Sequence, residues 1–162
     1  MEIEAIGKDI LDSAFAIHSQ FGSGLLEKAY RIVLASELRR IGHDVEEEKC
    51  CGFTFNGVGY DNMFRVDLLV DDAVVVELKS VGRMEPVFAK QCLTYLRLLD
   101  KRLGFVVNFG MPSLRDGIER VVNRLPTDPS SQQPSRTLRT SSETTNSLTQ
   151  SSPSSRRGEE RT

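Results

Sequence analysis

A chain of 162 residues with 21 Lys and Arg against 23 Asp and Glu is long enough for one domain with its own core. It is too evenly charged to act as a basic sheath for nucleic acid. Its three cysteines, Cys50, Cys51 and Cys92, form neither a disulfide framework nor a Cys/His zinc spacing, and they read as free thiols of a reducing cytoplasm. With no basic-then-apolar leader and no apolar run of about 18 residues, neither export nor membrane insertion is expected.

Ile3, Ile6, Ile10, Ala14, Ile17 and Phe21 recur at helical spacing and predict an amphipathic helix over residues 2–20. Gly22 and Gly24 interrupt it. A second helix is predicted from Leu25 to Arg40, with Leu26, Ala29, Val33 and Leu38 turned inward and a stop at Gly42. Composition then shifts to β-branched and aromatic residues punctuated by Gly, Asn and Asp. This predicts strands over 44–50, 52–56, 62–70 and 73–80, the last two joined by a tight turn at Val70–Asp72.

Residues 84–100 read as helix, with Pro86 in the first turn. Residues 103–109 are a continuous apolar run, predicted as a strand buried on both faces. A last helix is predicted over 112–124 through Leu114, Ile118, Val121 and Val122. Strand 73–80, helix and strand 103–109 make a parallel crossover, so the fold class is α/β with a mixed central sheet flanked by helices. From Pro126 onward there are two Leu and no Val, Ile, Phe, Tyr or Met. That composition cannot offset the entropy of ordering, which predicts a domain over 1–125 and a disordered Ser/Thr/Pro-rich tail over 126–162. To Leu125 there are 16 basic and 19 acidic residues, a net of −3.

The stretch "RVDLLVDDAVVVELKS", residues 65–80, carries the chemistry. Glu77 and Lys79 share one face of their strand, while Val74, Val76 and Leu78 share the other. A Glu-x-Lys pair ending an apolar strand has two readings: a partly buried ion pair, or a divalent-metal site. In the second, carboxylate oxygens of Asp67 and Glu77, with the Leu78 carbonyl, are hard ligands suited to Mg²⁺ or Mn²⁺. Lys79 then holds the attacking water or stabilises negative charge at phosphorus.

This pattern resembles the PD-(D/E)xK nuclease superfamily, whose restriction-endonuclease-like core is a helix, an antiparallel sheet carrying Asp and Glu-x-Lys, then helix and strand. More narrowly, "GLLEKAY" is similar to the signature of the GxxExxY proteins, with Gly24, Glu27 and Tyr30 in register. "RVDLLV", "VVVELKS", "QCLTYLRLL" and "LGFVVNF" follow in the same order, so the resemblance spans about residues 3 to 123. It implies a metal-dependent nuclease acting on DNA or RNA, with Asp67, Glu77 and Glu27 as metal ligands and Lys79 beside them. Tyr30, one turn beyond Glu27, is then a substrate-binding residue or a support for that carboxylate, or else a core aromatic.

Gln91 and Tyr95 lie four apart on the face that Phe88 and Leu98 share, and the resemblance gives Gln91 a catalytic, supporting role near Lys79 and Glu77, with Tyr95 binding substrate or supporting the site. In the family a His often stands three residues before this Gln, where this chain has Phe88. The alternative is a binding or assembly module that keeps the fold without turnover, and a small acidic domain suggests a protein partner that supplies targeting. His18 and His43 have no partner at catalytic spacing. Glu46–Lys49 reads as a charged edge strand that resists aggregation. Arg65, Arg83, Lys90 and Arg97 read either as a rim that contacts phosphates or as solvated surface.

Overall fold

The computed structural model describes residues 2–123, and the predicted tail lies outside the described residues. Two helices come first, α1 (Ile3–Phe21) and α2 (Glu27–Arg40). Strands β1 (Val45–Phe55), β2 (Val58–Val70) and β3 (Val74–Lys79) follow, then helix α3 (Pro86–Leu98) and strand β4 (Leu103–Asn108). After a 3-10 turn at Leu114–Gly117 the chain ends its described part in β5 (Ile118–Val122). The strands lie side by side in chain order, with β3 and β4 parallel and the other neighbours antiparallel. This is the expected mixed sheet, with α3 as the crossover that parallel pairing demands.

Both faces of the sheet are covered. Val74, Val76 and Leu78 of β3 join Ile10, Leu34 and Phe105 in a core under α1 and α2. Val75 and Val106 join Cys92, Tyr95 and Leu96 in a second core under α3. β4 is buried along its whole length, as its continuous apolar run predicts. In such a sheet the charges of Glu77 and Lys79 stand among buried apolar neighbours.

Several elements differ from the sequence expectation. Residues 44–50 and 52–56 are one strand, and β2 begins at Val58 rather than near residue 62. Gly52 sits where the two strands of a hairpin approach each other: a Cβ there would lie 2.1 Å from the Tyr60 carbonyl oxygen. The turn itself is Asn56–Gly57, both at positive φ, the combination a two-residue hairpin favours. Asp71 and Asp72 also have positive φ, and they make the tight β2–β3 turn that "VDD" predicts, closed by the Ala73 N–H on the Val70 carbonyl at 2.9 Å.

The predicted helix over 112–124 is a 3-10 turn followed by β5. Its helical spacing loses to tertiary pairing, because β4 would otherwise present an open edge and Ile118, Val121 and Val122 suit a strand. In α2 the inward stripe is Tyr30, Leu34, Ala35 and Leu38. Leu26, expected inside, precedes the helix and is 80% exposed.

His43, read as having no partner at catalytic spacing, is buried between two carboxylates. Its ring meets Asp71 Oδ2 at 2.7 Å and Asp9 Oδ2 at 3.2 Å, which ties the β2–β3 turn to α1. Burial pushes its pKa down, but the two carboxylates outweigh burial and the net direction is upward. This polar tie lies at the start of β3, and the candidate site lies at the other end of that strand.

Candidate active site

The backbone ladder between β2 and β3 runs over Leu68↔Val76, Leu69↔Val75 and Val70↔Val74. At Asp67 a side chain takes over, since Asp67 Oδ2 accepts the Leu78 N–H at 2.8 Å. The strands separate there without leaving that amide unpaired, and a carboxylate is held beside the end of β3. Two residues along β3 from Glu77, on its own face, Lys79 donates from Nζ to Glu77 Oε1 at 2.5 Å. Their side chains are only 14% and 4% exposed for Lys79 and Glu77 respectively.

The second oxygen of Glu77, Oε2, is buried and has no hydrogen-bond partner among the described residues. An unpaired carboxylate oxygen in a dry place is costly unless something else binds it. Burial first, then the negative charge of Asp67, pushes the Glu77 carboxyl up to about 7, although the Lys79 bond works the other way. Asp67 is raised too, mainly by burial, against the favourable Leu78 N–H. Burial pulls Lys79 down, but its bond to Glu77 and the charges of Glu77, Glu27 and Asp67 carry it upward overall. The pairing therefore tightens the proton on Lys79 and loosens the one on Glu77, whose net rise comes from burial and Asp67.

Glu27 opens α2 and is exposed, at the mouth of this cluster. Partial burial of its carboxyl raises its pKa, Lys79 opposes this and Asp67 adds to it, which puts all three groups in one electrostatic neighbourhood. The α1–α2 turn that delivers Glu27 is pinned twice. Ser80 Oγ donates to the Leu25 carbonyl at 2.8 Å, joining the turn to the end of β3. Tyr30 is wholly buried and stacked on Phe109 at 4.2 Å, and its hydroxyl is engaged by the backbone of Gly22 and Leu25. Tyr30 thus faces the turn and not the carboxylates.

On α3, Gln91 Nε2 donates to the Tyr95 hydroxyl at 2.6 Å. Neither residue hydrogen-bonds Glu77 or Lys79, although both charges act on the Tyr95 hydroxyl, whose pKa burial raises. Phe88 covers Lys79, with Nζ 5.4 Å from the ring centroid, a cation–π distance. Of the rim arginines, Arg65 pairs with Glu48 at 3.2 Å and Arg83 with Glu85 at 3.1 Å, both exposed.

Two contributors were not singled out from sequence. Arg31, one turn beyond Glu27, reaches Glu48 at 3.1 Å and its charge lowers the pKa of both Asp67 and Glu27. Its signal was the i, i+4 spacing from Glu27. Asn108, fully buried at the end of β4, accepts at Oδ1 from the Val81 and Gly110 N–H groups and donates from Nδ2 to the Val81 and Arg83 carbonyls. It fixes the chain that leaves Lys79. Its signal was an amide side chain inside the apolar run "LGFVVNF".

Residues 4–121 match the PD-(D/E)XK nuclease superfamily, and the chain belongs to that superfamily. Its mixed five-stranded sheet with flanking helices is the restriction-endonuclease-like fold. No curated protein and no solved structure gives a match. No helix among the described residues is long and apolar enough to cross a membrane.

Nucleases of this superfamily generally use divalent metal ions. Among the described residues no three His, Cys, Asp or Glu side chains are already gathered as a closed ion cage. The donors nonetheless suit a hard cation: Glu77 Oε2 has no partner among the described residues, and Asp67 and Glu27 stand close enough to repel it.

Proposed function

We propose that the protein is a Mg²⁺- or Mn²⁺-dependent phosphodiesterase that hydrolyses nucleic acid, DNA or RNA, on the pattern of the GxxExxY branch of its superfamily. The observation that carries this is the buried, unpartnered Oε2 of Glu77 set between Asp67 and Lys79. Glu77, Asp67 and Glu27 would hold the ion. A divalent ion there supplies Lewis-acid stabilisation of a phosphoryl oxygen and a more acidic bound water.

The remaining work falls to the chain's own side chains. Lys79 is charged at neutral pH and aims its ammonium into the carboxylate cluster, where it can orient water and offset charge that develops at phosphorus. Tyr30 and Ser80 hold the turn that presents Glu27, and Asn108 holds the segment after Ser80. Gln91 and Tyr95 form a bonded pair on the helix above, which supports a positioning role for Gln91 near the reacting group.

A catalytically weak or silent binding module is the second reading. The closed Lys79–Glu77 pair and the Phe88 ring over Lys79 favour it. Either protein would work in the cytoplasm, with targeting supplied by a partner. Incubation with single- and double-stranded DNA and RNA, with Mg²⁺, Mn²⁺ or EDTA, decides between them. Metal-dependent cleavage of any of these substrates supports the phosphodiesterase, and binding without cleavage under all conditions supports the module.

A further inference from the structure

The β1–β2 hairpin runs well past the sheet. β2 pairs with β3 only through Leu68–Val70, so the hairpin beyond has no third strand beside it. Its register sets Phe53 opposite Tyr60, Thr54 opposite Gly59 and Phe55 opposite Val58. Because side chains alternate, Phe53, Phe55, Val58 and Tyr60 share one face and Thr54 and Gly59 the other. That apolar face is open to solvent: Phe55 is 62% exposed, Val58 55%, Tyr60 40% and Phe53 39%. From Cys51 to Phe64 the only charged residue is Asp61, in a chain that is 27% charged.

The face is also continuous with the candidate active site. Phe53 stacks on Tyr60 with centroids 5.1 Å apart, Phe64 follows at 6.2 Å from Phe53, and Tyr95 at 6.1 Å from Phe64. Phe64 and Tyr95 pack in the same cluster as Phe88, whose ring centroid lies 5.4 Å from Lys79 Nζ. An aromatic track thus leads from the carboxylate cluster to the tip of the hairpin.

We propose that the exposed end of this track, Phe53, Phe55 and Tyr60, is a stacking platform for the bases of single-stranded nucleic acid whose backbone reaches the Asp67–Glu77–Lys79 cluster. The choice of polymer rests on the phosphodiesterase reading. The geometry adds the strandedness and the source of affinity. A domain of net charge −3 releases few counterions on binding, so phosphate contacts alone give it little affinity. Base–aromatic stacking is insensitive to sequence and needs no basic surface, and it requires bases that are already unpaired.

The test uses fluorescence anisotropy with labelled DNA and RNA oligonucleotides about 12 nucleotides long, single-stranded and as duplexes, in EDTA so that no cleavage intervenes. Wild type is compared with Phe53→Ala/Tyr60→Ala, with the more exposed Phe55→Ala, and with Thr54→Ala on the opposite face. Hydrolysis of bis(p-nitrophenyl) phosphate with Mn²⁺, a diester too small to reach the hairpin, reads the site separately. The expected result is tighter binding of a single strand than of duplex, lost roughly ten-fold or more in the double variant and in part by Phe55→Ala. Thr54→Ala should match wild type, and the rate on the small diester should be unchanged in all variants. Strand binding of this kind without any diester hydrolysis supports the platform and contradicts the phosphodiesterase. Equal affinity in wild type and the double variant overturns the platform. So does a wild-type dimer that the double variant converts to monomer in sedimentation, since the face would then join two copies of the chain.

Discussion

The Tyr30 hydroxyl donates to the Gly22 carbonyl at 2.5 Å, across the turn that separates α1 from α2. The same oxygen accepts the Leu25 N–H at 3.1 Å, so one buried phenol closes the turn from both sides. Gly22 has φ 69 and accommodates the bend that a side chain would resist. Glu27 begins its helix two residues after Leu25, and its position is set by this clasp.

Tyr30→Phe removes the clasp and keeps the ring on Phe109. Two partly buried backbone groups lose their partner, which should destabilise the protein by about 1 to 3 kcal/mol. Cleavage should fall with it, because Glu27 is no longer held over the cluster. Glu27→Gln should lower cleavage without a comparable loss of melting temperature. Chemical denaturation and initial rates on the preferred substrate check both, and a Tyr30→Phe protein equal to wild type in both would show that the turn holds without the phenol.

Lys79→Ala should abolish cleavage and leave metal binding measurable, since the proposed role of the lysine is toward water and phosphate and not toward the ion. Lys79→Arg should restore little, because the guanidinium is broader than the ammonium that lies over Phe88 and cannot give up a proton. Single-turnover cleavage alongside calorimetric metal titration separates the two effects. Wild-type cleavage by Lys79→Ala would remove the lysine from the mechanism.

Metal-free stability should fall as pH rises. Glu77 moves from an ordinary 4.5 up to about 7 on folding, so across that window the folded protein keeps a proton that the unfolded chain has released. The stabilisation is complete below the unfolded value and is lost as pH passes the folded one, an effect of about 3 kcal/mol at 1.36 kcal/mol for each tenfold change in proton affinity. His43, also raised, acts in the same direction in any variant that retains it. The difference between wild type and Glu77→Gln therefore isolates Glu77. Denaturant titrations in EDTA at pH 5 and pH 8 should show wild type losing more than Glu77→Gln, and parallel losses would contradict the assignment.

Much of the candidate site was legible because its residues follow short spacings. Asp67, Glu77 and Lys79 stood out as charges on strands whose other residues are apolar, and alternation put Glu77 and Lys79 on one face. Asn108 escaped because its function is to satisfy four backbone groups brought together only by the fold. Tyr30 was seen as a neighbour of Glu27, but its hydroxyl turns back along the chain to Gly22, which helical spacing does not reveal. The fold shows the same division. The helices and the β3–α3–β4 crossover follow from local periodicity, whereas β5 and the long hairpin depend on strand pairing: Gly52 and Gly59 look like breaks in isolation, and Ile118–Val122 becomes a strand because β4 has an edge to fill.

The central claim is that the carboxylates at the end of β3 form a metal site, and thermal melting against added Mg²⁺ or Mn²⁺ tests it most directly. Glu27, Asp67 and Glu77 repel one another, and Lys79 with Arg31 offsets that only in part. A cation bound at about 10 to 100 times its dissociation constant should stabilise wild type by about 1.4 to 2.7 kcal/mol. That corresponds to roughly 4 to 12 °C in Tm for a domain of this size. Asp67→Asn keeps an acceptor for the Leu78 N–H and removes one negative charge, so its metal-free Tm should equal or exceed that of wild type while most of the metal-induced rise disappears. A wild-type Tm that stays flat up to about 10 mM of either ion, well above the dissociation constant of a working carboxylate site, would contradict the metal site and leave Glu77 and Lys79 as a structural ion pair.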